Sequence, residues 1–203
     1  MSAKKASQAK AASKPGRGRA QGLRTRHPGD LSPEETVARV LRVDHAGEYG
    51  ARRIYEGQMA VLGRGAAAGS IARMYDEELR HLDHFEKLMV ARRVRPTALQ
   101  PFWHVTGFAL GAATALLGER AAMACTVAVE EVIDEHYGGQ LETLGEDEAE
   151  LKTTLEAFRA DERKHRNAGL KHGHGAEAAP AYRVLRAAIK SGSRLAIWLS
   201  ERI

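Results

Sequence analysis

Asp161-Glu162-Arg163-Lys164-His165 decides how the chain is read, because a matching arrangement stands at Glu77-Glu78-Leu79-Arg80-His81. Each segment contains Glu-x-x-His. Positions three apart share one face of an α-helix, so each segment offers a carboxylate oxygen and an imidazole nitrogen to a common point. Two further glutamates stand at matching distances upstream: Glu48 precedes Glu78 by 30 residues, and Glu130 precedes Glu162 by 32. The chain reads as a helix pair, a glutamate followed by Glu-x-x-His, used twice.

These parts predict an all-α fold, a ferritin-like four-helix bundle. Such a bundle builds a two-metal site from one Glu on each of two helices and one Glu-x-x-His on each of the other two. Charge supports this reading, since two divalent ions neutralise four carboxylates, whereas the same carboxylates without metal would repel one another and take up protons. One Glu-x-x-His in a Glu-rich helical chain is a weak signal that a solvated face produces by chance. Two copies, each with a glutamate upstream in an apolar context, are not. The candidate ligands are Glu48, Glu78, His81, Glu130, Glu162 and His165. The duplicated spacing favours Glu130 over its neighbour Glu131 without deciding between them. Oxygen-rich donors without thiolate favour iron or manganese. Iron oxidation and storage, peroxide reduction, and oxygen insertion into an organic substrate all remain open on spacing alone.

The 203 residues suit one domain with a tail. The single cysteine, Cys125, excludes an internal disulfide and reads as a small packing residue in a reducing compartment. The net charge of +5 is unevenly placed. Eight of the 31 basic residues but only one of the 26 acidic ones fall within residues 1–33, leaving 23 basic and 25 acidic residues for the rest. The folded part is therefore not basic, and no specific nucleic-acid partner is expected. Residues 1–33 read as a disordered basic arm, with too little apolar content to offset ordering entropy. It lacks the apolar region of a secretory signal and the amphipathic face of a mitochondrial presequence. The ferritin-like domain is expected over residues 34–203.

Ser32-Pro33-Glu34-Glu35 predicts a capped helix start, with the first helix stopping near Gly63 and a second running from about Ile71 to Arg93. From Phe102 to Leu117 the chain carries no charge. Its 16 residues fall short of a membrane span, which needs about 20. This stretch reads as a buried crossover between the helix pairs or as an apolar helix at a bilayer surface, and the two are compatible if the crossover sits at the open end of the bundle. Helices are expected from about Arg120 to Leu144 and Asp147 to Lys171. His172 and His174, in a Gly-rich turn, read as a solvated helix end. The last segment, about Ala181 to Ile203, is a basic amphipathic helix with Arg183, Arg186, Lys190 and Arg194 on one stripe. It suits either a lipid headgroup layer or docking on the bundle. An iron store has no use for these apolar and amphipathic elements. An enzyme taking a lipid from a bilayer does.

From about Leu41 onward the chain resembles the demethoxyubiquinone hydroxylase family, the di-iron monooxygenases of ubiquinone biosynthesis. The match is carried by Arg42-Val43-Asp44-His45-Ala46-Gly47-Glu48-Tyr49-Gly50-Ala51, the run Gly107 to Gly118, Ala124-Cys125-Thr126-Val127-Ala128-Val129-Glu130-Glu131, and Leu199-Ser200-Glu201-Arg202-Ile203. The resemblance implies the same six ligands and selects Glu130 over Glu131. It implies two Fe ions per chain, Fe2+ in the reduced state, and hydroxylation of the demethoxyubiquinol ring with O2 as co-substrate and NADH as electron source. His136 and Tyr137 are implied to lie close to the iron and the quinone without binding metal, although Tyr137 reads equally well as a core tyrosine. The implied partners are a polyprenylated quinone, a membrane surface met through residues about 102–118 and 182–203, and accessory proteins of ubiquinone biosynthesis. The expected location is the cytoplasmic face of a bacterial inner membrane, with the mitochondrial matrix face as the alternative. No Gly-x-Gly-x-x-Gly fingerprint follows a strand pattern, so no built-in Rossmann site is expected. The rival reading is a ferritin- or rubrerythrin-like iron-handling protein or peroxidase.

Overall fold

The structure is a computed structural model and describes residue 27 and residues 29–173 and 179–203. Most of the basic arm, and His174, lie outside the described residues. Residues 31–203 form one compact unit of six α-helices with no strand among the described residues. The helices are α1 (Pro33–Leu62), α2 (Ala68–Arg92), α3 (Gln100–Leu116), α4 (Glu119–Thr143), α5 (Ala149–His172) and α6 (Pro180–Ser200), with a 3-10 turn at Glu146–Glu148.

The start of α1 is fixed locally. Ser32 Oγ accepts the Glu35 N–H at 3.0 Å while Ser32 N–H donates to Glu35 Oε2 at 2.7 Å, closing a capping box. Gly63, at φ 55°, ends the helix in a backbone region that disfavours larger residues. The hairpins α1–α2 and α4–α5 then face each other, and their inward stripes form two apolar layers. One joins Val40, Leu41, Phe85, Met89, Tyr137 and Leu155. The other joins Ala51, Tyr55, Ile71, Met74, Ala122 and Met123. Fully burying a large apolar side chain contributes about 1.5–3 kcal/mol, so these layers can carry a polar band between them.

The uncharged stretch does become a helix, but α3 lies along the outer side of α1 rather than across an end of the bundle. Glycine is the reason. A Cβ at Gly57 of α1 would meet the Phe108 carbonyl oxygen and stand 2.7 Å from Ala112 N, and one at Gly111 of α3 would meet the Ile54 carbonyl oxygen and stand 2.8 Å from its carbon. The two backbones approach so closely that no side chain fits between them. One face of α3 is thus covered, while Phe102, Val105 and Leu116 on the other are 56 %, 63 % and 75 % exposed.

α6 docks on α4 through its basic stripe. Arg186 Nη2 and Lys190 Nζ each lie 2.7 Å from Glu131, and Arg194 Nη2 lies 2.9 Å from Glu135. Ile189 joins a small cluster with Ile54, Cys125, Ala128 and Val129. Burial pushes the Cys125 thiol up to about 12, which leaves it an inert packing residue.

The α1–α3 contact gives a direct stability test. Gly111→Ala is expected to destabilise the protein by about 1–3 kcal/mol through overpacking. Gly139→Ala, in α4 with open space around its Cβ, should be neutral or stabilising by up to about 1 kcal/mol. Urea unfolding of both variants measures the difference.

Candidate metal centre

Between the two apolar layers, α1 brings Glu48, α2 brings Glu78 and His81, α4 brings Glu130, and α5 brings Glu162 and His165. All six have at most 2 % of their surface exposed. They form two overlapping groups, Glu48, Glu78, His81, Glu162 and Glu78, Glu130, Glu162, His165, each with its potential ligand atoms within 4.8 Å of one another. Glu78 and Glu162 belong to both. His81 Nδ1 lies 3.3 Å from both Glu48 Oε2 and Glu162 Oε1. His165 Nδ1 lies 3.2 Å from both Glu78 Oε1 and Glu162 Oε2.

This donor set fits two hard divalent ions. Both carboxylate oxygens of Glu78 and of Glu162, Glu130 Oε2 and His165 Nδ1 are buried without a hydrogen-bond partner. Orphaned buried polar atoms are costly and rare. Six of them around one point answer to something other than protein, and four carboxylates with two imidazoles suit iron or manganese.

The electrostatics agree. Burial pushes Glu78 and Glu130 well above the usual carboxylate range, and neighbouring Glu162 pushes them further. Burial acts the same way on Glu162, but the close approach of His165 and His81 outweighs it and holds that carboxyl below its ordinary value. Burial opposes charge on the histidines too. Close contact with Glu162 and a hydrogen bond to Glu48 nonetheless raise His81 to about 11, and contact with Glu162 together with the charge of Glu130 raises His165 to about 10. Without metal the cluster balances its charge with protons, which metal must displace.

Two tyrosines hold the outer glutamates. Tyr137 Oη donates to Glu48 Oε1, and Tyr55 Oη donates to Glu130 Oε1. Burial first, then the adjacent carboxylates, raise both phenols well above the usual value, so both remain donors. The sequence reading named Tyr137 and missed Tyr55, yet Tyr55 follows Glu48 by seven residues just as Tyr137 follows Glu130. His136 stands apart from the six. Its Nε2 meets Gln140 Nε2 at 2.8 Å and Asp44 Oδ1 at 3.6 Å, and it lines a surface hollow with Arg39, Glu135 and Glu201. Glu131 faces α6 and is excluded from the cluster by its pairing there. His172 is half-buried at the far end of α5, where Nε2 lies 3.0 Å from Ser70 Oγ.

On the outer side of α1 an apolar groove of about 310 Å³ is lined by Ala46, Gly50 and Ile54 of α1, Trp103 and Leu110 of α3, Ile133 of α4, and Ala196 and Ile197 of α6. Trp103 Nε1 donates to Ser200 Oγ at 3.1 Å and ties α3 to α6. No helix among the described residues is long and apolar enough to cross a membrane.

A family model described as the ubiquinone biosynthesis protein COQ7 matches residues 35–200. The chain belongs to this family. A relative from Rhodospirillum rubrum named 3-demethoxyubiquinol 3-hydroxylase is 57 % identical over 179 residues, covering 88 % of this chain and 84 % of the relative. The Homo sapiens relative, named NADPH-dependent 3-demethoxyubiquinone 3-hydroxylase, mitochondrial, is 53 % identical over 193 residues, covering 92 % and 88 %. The Saccharomyces cerevisiae relative, named 5-demethoxyubiquinone hydroxylase, mitochondrial, is 41 % identical over 182 residues, covering 81 % and 77 %. The COQ7 family is one of helical bundles of the ferritin-like kind, as α1, α2, α4 and α5 are arranged.

The proton balance of this COQ7-family centre predicts an unusual pH dependence. Glu78 and Glu130, raised above 4.5, and His81 and His165, raised above 6.5, bind more protons folded than unfolded across neutral pH. Stability supplied by the histidines is complete below their unfolded value and fades towards 10 and 11. The raised glutamates likewise make the folded state less stable as pH climbs past 4.5. Glu162 adds no slope above its unfolded value of 4.5. Metal-free protein is therefore expected to lose thermal stability steadily between about pH 6 and 9. Scanning calorimetry with and without Co(II) checks this, and bound metal should flatten or reverse the trend.

Proposed function

We propose that the chain hydroxylates the ring of a demethoxyubiquinol in ubiquinone biosynthesis, as a di-iron monooxygenase using O2 and a reduced nicotinamide nucleotide. The observation that carries the reading is the convergence of six buried ligand-type side chains, with their orphaned donor atoms, beside an apolar groove. When bound, two irons supply the redox chemistry that activates O2 for insertion of one oxygen atom into a ring C–H bond. The balance is ring C–H, O2, a hydride and a proton giving ring C–OH and water, so a reduced nicotinamide closes it. The resemblance suggests NADH, whereas the names of the mitochondrial relatives specify NADPH.

In this reading the two overlapping groups, Glu48, Glu78, His81 and Glu162 and Glu78, Glu130, Glu162 and His165, would hold the irons. Tyr137 and Tyr55 orient the outer glutamates by donating to them. His136 lies behind Asp44 and Gln140 and acts at most through them. The groove takes the polyprenyl tail, because its lining from Ala46 to Ile197 offers almost only apolar surface. Phe102, Val105, Leu195, Trp198 and Ile203, each at least half exposed, flank it. They suit insertion into the headgroup layer of a bilayer. Arg186, Lys190 and Arg194 are engaged with α4, so membrane contact through α6 rests on its apolar edge. We assign the protein a peripheral place on a membrane face, held there by these exposed apolar side chains.

An iron store or peroxidase shares the bundle but has no use for the groove. Iron content and aerobic turnover of a short-tailed demethoxyquinone with NADH or NADPH test the reading. Wild type should carry about two irons per chain, and Glu48→Ala should lose the hydroxylated product while retaining its helical circular dichroism. Two irons with no quinone product under either nucleotide would favour iron handling. Ala196→Trp, which fills the groove, is expected to raise KM for a long-tailed substrate about tenfold or more while leaving turnover of a tail-less analogue nearly unchanged.

A further inference from the structure

The metal-facing histidines each have a second ring nitrogen, and in both cases its partner comes from the opposite hairpin. His165 Nε2 of α5 lies 2.6 Å from Glu77 Oε2 of α2. His81 Nε2 of α2 lies 3.3 Å from Asp161 Oδ2 of α5. Glu77 immediately precedes Glu78, and Asp161 immediately precedes Glu162. The duplicated unit is thus longer than Glu-x-x-His: it runs acid, glutamate, any residue, base, histidine. The base belongs to the pattern as well. Lys164 Nζ lies 2.7 Å from Asp161 Oδ1, and Arg80 Nη2 lies 3.6 Å from Glu77 Oε1. Each acid is steadied by a cation on its own helix and reaches across to the other helix's histidine.

Resting on the six-ligand reading above, we propose that Glu77 and Asp161 are positioning residues that set the tautomer and aim of His165 and His81. A neutral imidazole carries one N–H. An anionic acceptor beside Nε2 holds the proton there and leaves the Nδ1 lone pair directed at the carboxylate cluster, while making that nitrogen more basic. Nδ1 is the atom that faces the glutamates in both histidines. Ring planes are fixed separately: His81 stacks on Phe158 of α5 with centroids 3.9 Å apart, and His165 meets the Tyr55 ring edge-on. Stacking leaves the ring free to make a half-turn about its Cβ–Cγ bond, which would put Cδ2 where Nδ1 stands and Cε1 where Nε2 stands, and the acid beside Nε2 removes that freedom.

An ordinary surface ion pair does not account for these contacts. Glu77 lies closer to the buried imidazole than to its own helix's arginine, 2.6 Å against 3.6 Å, while Asp161 meets Lys164 at 2.7 Å with one oxygen and reaches His81 at 3.3 Å with the other. Both acids are about 30 % exposed, at 32 % and 28 %, while each reaches a histidine side chain that is 2–3 % exposed. α2 and α5 pack through His84 and Phe85 against Phe158, and the two reciprocal acid–histidine contacts add polar links between the same helices at the level of the site.

Co(II) binding to the full-length protein, followed by visible absorption and calorimetry, tests the proposal independently of turnover. Glu77→Ala and Asp161→Ala are each expected to retain one site near wild-type affinity, weaken the other about 10–100-fold, and shift the Co(II) absorption bands. Arg80→Ala and Lys164→Ala, which leave the acid–histidine contacts in place, should change affinity by no more than a few-fold. Asp161→Ala should add little loss to His81→Ala but its full loss to His165→Ala, because it acts through one histidine only. Glu77→Gln and Asp161→Asn keep an acceptor oxygen in nearly the same shape. They should fold as wild type and bind with affinity between wild type and the alanine variants, so they decide the matter if an alanine variant does not fold. Wild-type binding of both Co(II) ions in the alanine or amide variants overturns the proposal, as does an equal loss added to both histidine variants. If His81→Ala and His165→Ala themselves bind two Co(II) ions normally, the six-ligand reading fails instead.

Discussion

Four carboxylates enclosed between two apolar layers are the constraint on which the rest of the molecule depends. In water they would repel one another weakly. At the centre of this bundle each is at most 2 % exposed, desolvation penalises every charge, and no surface loop can screen it. Only a compensating charge makes the arrangement tolerable, from protons, imidazolium or metal. The apolar layers on either side hold the helices together despite this band, and the tyrosines, placed where each layer meets it, donate to the outer glutamates. Core and site are therefore one construction, in which the packing residues Tyr55 and Tyr137 are also the ones that hold Glu130 and Glu48.

What could be read from the sequence follows from periodicity. The six ligand-type residues lie at helical spacings inside amphipathic stripes, so their convergence was legible before any coordinates, as were the capping box at Ser32 and the six helices. Spacing favours Glu130 over its neighbour Glu131 and the family resemblance selects it, and the side of α4 each occupies gives the physical reason: one enters the cluster, the other meets Arg186 and Lys190. Two features were not legible. Tyr55 sits in a stretch that reads as ordinary core, and its role appears only when its seven-residue offset from Glu48 is compared with that of Tyr137 from Glu130. The place of α3 could not be read from hydropathy, because an apolar helix suits an end, a core or a surface equally. Gly57 and Gly111 settle it through backbone contact, which a pattern of side chains does not encode.

The basic stripe of α6 shows how one pattern can serve two readings. Cations every three or four residues beside an apolar face suit a lipid headgroup layer, and they equally suit a neighbouring helix that carries acids. The acids exist: Glu131 and Glu135 lie four apart on the outer face of α4 and meet three of the cations. Exposed ion pairs contribute little, typically below about 1 kcal/mol each. Their effect here is to fix the rotation of α6, which determines that Ala196 and Ile197 face the groove while Leu195 and Trp198 face outward.

Duplication explains the ligands but not the groove. Under the exchange of one hairpin for the other, Glu48 maps to Glu130, Tyr55 to Tyr137, Glu78 to Glu162 and His81 to His165, with Glu77 and Asp161 following. The surroundings do not obey this exchange. α3 covers α1 and α6 covers α4, so the apolar groove opens on the side of the paired glutamate helices. The Glu-x-x-His helices instead turn charged residues outward, among them Arg80 and Lys164. A symmetric ligand set in an asymmetric enclosure gives the two faces of the centre different neighbours. The apolar groove lies on the α1–α4 side, while on the α2–α5 side Glu77 and Asp161 meet the two histidines. The asymmetry is thus written by the two helices outside the repeat, and the repeat itself supplies only the centre they enclose.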